Sequence, residues 1–164
     1  MTETLMVFGA SSGIGMALLE LASEKGWQAI GVSRQSRPVR LEAKVHWHQV
    51  DYHSQDEQQP TAPFPEAEIA ALCQQYQPQR VFICHGLLQQ HEVKAEKSIR
   101  QLDVAAAGQS WWVNYLVPLL HLKSMWSHLL VQPCKVLVLS AKVGSISDNR
   151  KGGWYGYRAS KAAL

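Results

Sequence analysis

Leu5-Met6-Val7-Phe8 is a short apolar run that stops at Gly9, and Gly9-Ala10-Ser11-Ser12-Gly13-Ile14-Gly15 follows before a helical pattern begins. A buried strand that turns into a helix through a glycine-rich loop constrains the fold more than any other feature of the chain. Glycines permit the tight turn and let a pyrophosphate approach the backbone, where it meets the N-terminus of the helix. That is the position and composition of a dinucleotide-binding turn. Its spacing is G-x-x-x-G-x-G rather than G-x-G-x-x-G, and no G-K-[S/T] follows, which excludes a nucleoside-triphosphate phosphate loop.

The remaining chain repeats the alternation. Leu18, Leu21 and Ala22 recur with helical period over 14–25, and Gly26 supplies a stop. Residues 27–32, 45–50, 81–84 and 135–139 read as further strands. A helix is expected over 66–76, closed by Pro78, and a long helical region over about 103–131, bent by Pro118. Residues 34–43 with Pro38, 54–65 with Pro60, Pro63 and Pro65, and 141–154 read as connections, the last leading into a final helix. Apolar strands alternating with helices predict an α/β fold, a Rossmann-like doubly wound parallel sheet covered on both faces. The 164 residues fit a single domain, 1–164, with a sizeable core.

Hydrophobic residues make up 46% and charged ones 18%, the balance of a globular soluble chain. The net charge of +3 comes from scattered bases, which argues against a nucleic-acid partner; Arg34, Arg37 and Arg40 form the only local basic group. Cys73, Cys84 and Cys134 lack any C-x-x-C pair and read as reduced thiols, so a cytoplasmic location is expected. Met1-Thr2-Glu3-Thr4 has no basic leader, and the apolar stretch near Tyr115–Leu122 contains Pro118 and His121 and is too short for a bilayer. No membrane association is expected. His46 and His48 share a strand face without a carboxylate or cysteine to complete a metal site, so they read as a polar surface.

Tyr157-Arg158-Ala159-Ser160-Lys161 carries the chemistry. On a helix, residues four apart lie on one face. A free phenol titrates near pH 10, and a neighbouring ammonium should pull that value down toward useful acid/base work on a carbonyl oxygen. Tyr155 stands six residues before Lys161 and falls on another face. At the end of the second strand, Val32-Ser33-Arg34 has no carboxylate to hold the ribose hydroxyl of NAD. A hydroxyl and a guanidinium suit a 2′-phosphate, so NADP(H) is expected ahead of NAD(H).

With the glycine turn, Tyr157 and Lys161 together, the whole chain resembles the short-chain dehydrogenase/reductase family. Ser145-Ile146-Ser147-Asp148-Asn149 and Gly152-Gly153-Trp154-Tyr155-Gly156-Tyr157 resemble its C-factor/sniffer-like carbonyl reductase branch. The resemblance implies that Tyr157 is the general acid, that Lys161 lowers its pKa and holds the nicotinamide ribose, and that Asn114 anchors a proton-relay water. It implies cofactor contacts at Gly9, Ser11, Ser12, Gly13, Ile14 and Gly15, at Ser33 and Arg34, at Asp51 and Tyr52 beside the adenine, and at Gly86. The family's N-N-A-G is here Ile83-Cys84-His85-Gly86, so only the glycine survives. Aligning the family's Ser-Ser-x-x-Gly on Gly144 places Ala141 where the substrate-binding serine belongs. Ser140 is chosen as the substitute and Ser145 is the other hydroxyl.

Family members continue past the lysine, whereas the sequence stops at Leu164. The expectation is therefore a C-terminally incomplete domain with an unpaired sheet edge, a frayed final turn and a loosely held Lys161. A small carbonyl or alcohol is the implied substrate, with weak or absent turnover by this chain alone. The alternative is a non-catalytic dinucleotide-binding or partner-binding module. A homo-oligomer would form through the helices carrying Asn114 and Tyr157.

Overall fold

The computed structural model describes residues 2–41, 44–52, 64–88 and 95–164; most of the connection expected over 54–65, with Pro60 and Pro63, lies outside these. In chain order the elements are β1 (Thr4–Phe8), α1 (Gly13–Glu24), β2 (Gln28–Ser33), β3 (His46–Gln49), α2 (Glu66–Tyr76), β4 (Arg80–Ile83), α3 (Val104–Trp111), α4 (Val117–Ser124), α5 (Trp126–Val131), β5 (Lys135–Val138) and α6 (Tyr155–Ala163). The five strands form one parallel sheet in the order β3-β2-β1-β4-β5, a Rossmann-like arrangement with helices around it, as the alternation predicts. Among the described residues no helix is long and apolar enough to cross a membrane.

The chain divides into two compact units, Met1–Cys84 with Leu120–Val138, and His85–Leu119 with Leu139–Leu164. The first contains the sheet. All of β1 is buried, because a central parallel strand is covered on both faces and an apolar run satisfies both. Leu19 and Ala22 of α1 are buried with it, and each fully buried large side chain such as Phe8, Met6 or Leu19 contributes about 1.5–3 kcal/mol. In β2, a Cβ at Gly31 would lie 2.7 Å from the Trp47 ring, so the glycine admits an indole from β3 over the sheet. Trp47 Nε1 in turn donates to the Gln35 carbonyl at 2.9 Å. His121, fully buried, lies 4.0 Å from the Phe8 ring and packs against Tyr52 and Phe64 at 5.4 and 5.1 Å between centroids. His46 and His48 both face Tyr76, and His48 Nε2 is 2.9 Å from its hydroxyl.

The long helical region expected over 103–131 runs from Val104 to Val131 as α3, a π-helical turn, α4 and α5, with a single turn residue at Met125. Asp103 caps α3 by accepting from Ala106 N–H at 2.8 Å, and the chain then widens into a π-helical turn over Trp112–Leu116. Pro118 sits in the first turn of α4, directly after that π-helical turn. It has no N–H to give the carbonyl four residues back, that of Asn114, and a wider turn accommodates the loss. The break falls at Met125, between α4 and α5.

In the second unit α6 packs against α3 and against a short 3-10 turn, Lys142–Gly144. A Cβ at Gly156 would meet Ala107 Cα at 3.0 Å, and one at Gly144 would meet the Lys161 carbonyl carbon at 2.8 Å. Both glycines are places where backbones touch, and both fix the orientation of α6.

Candidate active site

In the first unit, Gly9 has φ 72°, a left-handed conformation that favours glycine, and its carbonyl accepts from Ser12 N–H at 3.1 Å. Ser12 then caps α1, its Oγ accepting from Gly15 N–H at 3.0 Å. A Cβ at Gly15 would lie 2.7 Å from the Gly9 carbonyl oxygen and 2.9 Å from Ala10 Cα, both backbone atoms that cannot move aside. A Cβ at Gly13 would meet nothing within 4 Å. Gly15→Ala is therefore expected to destabilise the protein by about 1–3 kcal/mol, the usual cost of forced overpacking. Gly13→Ala should stay within about 0.5 kcal/mol of the parent. Urea denaturation of the two variants checks the contrast.

The turn fits the phosphates of a dinucleotide. The first N–H groups of α1 have no intrahelical partners, no acidic residue stands in its first turn, and open space borders Gly13. Ile14 is exposed beside them. Ser33, buried at the end of β2, donates from Oγ to Ser11 Oγ at 2.9 Å and accepts from Gln35 N–H, so the turn and the strand end are tied together. Arg34 is exposed, and its carbonyl accepts from Gln49 Nε2 at 3.1 Å. Asp51 is exposed. Tyr52 is half-buried with its ring in the His121 cluster, and burial raises its phenol far above the usual range.

The second unit holds Asn114, Tyr157 and Lys161, the residues expected to handle the proton. Asn114 is fully buried in the π-helical turn, a kind of irregularity that recurs at functional sites. Its Oδ1 accepts from Leu87 N–H at 2.7 Å, and its Nδ2 donates to the Leu87 carbonyl at 2.8 Å and to Ser160 Oγ at 3.0 Å. The side-chain amide thus pairs with a backbone as a neighbouring strand would. Ser160, also fully buried, donates to the Tyr157 carbonyl at 2.8 Å. Asn114 is linked through one hydroxyl to the helix that carries Tyr157.

Lys161 is 5% exposed, and its Nζ donates to the Leu139 carbonyl at 3.0 Å. The expectation of a loosely held lysine is corrected: packing on Gly144 and the Leu139 carbonyl fix it. Burial pulls its pKa down. Tyr157 lies one turn earlier, half-buried, with Lys161 Nζ 6.0 Å from its ring centroid. Its pKa is not lowered as expected from the neighbouring ammonium. Burial raises it, because losing water disfavours the phenolate while the ammonium is directed at a carbonyl.

Gly86 lies beside both groups: a Cβ there would be 3.9 Å from Lys161 Nζ and 4.0 Å from Asn114 Oδ1. Ser140 lies past the end of β5 and is exposed, and its Oγ reaches the Lys161 carbonyl only at 3.5 Å. Ser145 Oγ is 3.3 Å from Ser147 Oγ and accepts from Asp148 N–H at 3.3 Å. Both hydroxyls have weak partners. Ser160 was not singled out from sequence, although its place one residue before the lysine and three after the tyrosine was available as a signal.

Comparison with solved structures gives matches across the whole chain. A carbonyl reductase from Pseudomonas aeruginosa PAO1, solved with NADP, matches with TM-score 0.75 at 19% identity over 100% of this chain and 69% of its own. An oxidoreductase of the short-chain dehydrogenase/reductase family from Brucella ovis, with a partially ordered NAD, matches with TM-score 0.75 at 22% identity over 100% and 73%. An aldohexose dehydrogenase from Thermoplasma acidophilum matches with TM-score 0.71 at 20% identity over 99% and 57%. The chain has the fold of these enzymes. No family model and no curated protein matches its sequence.

Proposed function

We propose that this protein is an NADP(H)-dependent oxidoreductase of the short-chain dehydrogenase/reductase type, acting on a small carbonyl or alcohol and resembling in motif the C-factor/sniffer-like carbonyl reductases. The observation that carries this reading is Lys161: a lysine almost wholly removed from water, one helical turn from a half-buried tyrosine, in a helix bonded through Ser160 to a buried asparagine. A buried ammonium is costly and needs a use.

Nicotinamide, when bound, would supply or accept the hydride. The backbone N–H groups at Gly13 and Ile14 would receive the pyrophosphate, with Gly9, Ser11, Ser12 and Gly15 shaping the turn. Ser33 and Arg34 would face the 2′-phosphate, and Asp51, Tyr52 and Gly86 the adenosine. Tyr157 would donate its proton to the substrate oxygen in reduction and withdraw it in oxidation. Its raised pKa keeps it protonated near neutrality, which suits reduction. Lys161 would stabilise the phenolate left behind and hold the nicotinamide ribose. Asn114, whose carbonyl receives no helical bond from Pro118, would hold a relay water. Ser140 or Ser145 would bind the carbonyl oxygen.

Neighbours that carry NADP or NAD support a nicotinamide cofactor, and the absence of a carboxylate at Val32-Ser33-Arg34 supports the phosphorylated form. Titration of the protein with NADPH and with NADH, followed by nicotinamide fluorescence, tests this. Tighter binding of NADPH by about tenfold or more is expected from an arginine–phosphate contact; equal affinities or preference for NADH would overturn the cofactor assignment.

A further inference from the structure

We infer that Glu96 is a positioning residue for Tyr157, acting as the N-terminal cap of the helix that carries it; this rests on the reading of Tyr157 as the proton donor. The residue before α6, Trp154, has no side-chain acceptor for the helix's first N–H groups and makes no capping bond. A helix end without partners for these groups frays. Glu96, sixty residues away in sequence, supplies what Trp154 lacks: its Oε1 accepts from Gly156 N–H at 2.8 Å and its carbonyl oxygen accepts from Trp154 N–H at 2.6 Å. One residue thus bonds the chain on both sides of Tyr155.

The approach to α6 is shaped around this contact. Gly152, Gly153 and Trp154 have φ of 64°, 71° and 53°, three successive left-handed residues, of which the last is a bulky side chain that rarely adopts that conformation. A Cβ at Gly153 would lie 3.1 Å from the Glu96 carbonyl, so the glycine leaves room for it. Trp154, fixed in this unusual conformation, stands edge-on to Tyr157 at 6.3 Å between centroids and 82°. Backbone strain that persists is over-determined by its surroundings, and here the two Glu96 bonds do that. Tyr157 follows Gly156 directly, so a shift at Gly156 N–H displaces the phenol.

The test compares E96A with E96Q, whose amide oxygen can still accept from Gly156. With NADPH and an aromatic aldehyde as probe, E96A is expected to lower kcat by about 10–100-fold, the scale of an ångström-level misplacement. KM and the NADPH Kd should move less than about threefold, because the acid acts in the transition state. E96Q should recover most of the loss. An unchanged kcat in E96A, or a loss in E96Q equal to that in E96A, would overturn the assignment. Should E96A not fold, E96D, which withdraws the carboxylate by one methylene, is expected to fall below E96Q; equality with wild type would overturn it. Two signals need no turnover: hydrogen exchange at the Gly156 amide and the Tyr157 ring 13C resonance. Both should change in E96A and return in E96Q, and no change in E96A would overturn the assignment. If the wild-type protein reduces no aldehyde, the oxidoreductase reading fails separately and these signals still decide the role of Glu96.

Discussion

Tyr157→Phe is expected to lower kcat for NADPH-dependent carbonyl reduction by about 10²–10⁴-fold, the effect of removing a positioned general acid. The ring and its packing against Trp154 remain, so folding should be unchanged and the NADPH Kd should move by no more than about threefold. Steady-state kinetics with a fluorescence titration separate the two effects. The pH profile gives an independent check with a definite sign. Burial raises the Tyr157 pKa, so reduction, which needs the protonated phenol, should hold across neutral pH and decline only as pH rises through that value. Oxidation of an alcohol needs the phenolate and should rise over the same interval. Wild-type activity falling instead toward neutral pH from below would place the essential acid elsewhere.

The second large effect is on stability. Asn114→Leu keeps the branched shape and heavy-atom count of a fully buried side chain and removes its bonds to Leu87 N–H, the Leu87 carbonyl and Ser160 Oγ. Each unsatisfied buried partner costs about 1–3 kcal/mol, and because the Leu87 backbone is only partly buried the sum should be about 2–4 kcal/mol. Urea denaturation measures it, and a change under about 0.5 kcal/mol, typical of a surface substitution, would show that the clamp is not structural. The same change should lower kcat, because the Asn114–Ser160 bond holds the helix of Tyr157 and Lys161.

The fold was legible because its signals are local and repeat. The Leu5–Phe8 run, the glycine turn and the strand–helix alternation each report a period or a stop, and the parallel sheet follows from them. The glycine turn was legible in detail too, since Gly9 needs its positive φ and Gly15 its missing Cβ for reasons that hold in any such turn. The helical region over 103–131 was legible as a whole, but Pro118 signals a disturbance without saying that it takes the form of a π-helical turn. The Tyr157 pKa was misread for a related reason: spacing shows that Lys161 is near but not that its ammonium is directed at the Leu139 carbonyl. Glu96 acts through two long-range bonds and Ser160 through one, and bonds between residues so far apart leave no periodic trace in the sequence.

The most direct test of the account is the rate of NADPH oxidation by the purified protein and by its Tyr157→Phe variant with a panel of small aldehydes and ketones. The account predicts oxidation that requires both the carbonyl compound and Tyr157. Tight NADPH binding with carbonyl-dependent oxidation that survives in the variant would contradict the assignment of Tyr157, and NADPH binding with no oxidation by either protein would replace the oxidoreductase reading of this chain with the non-catalytic dinucleotide-binding module.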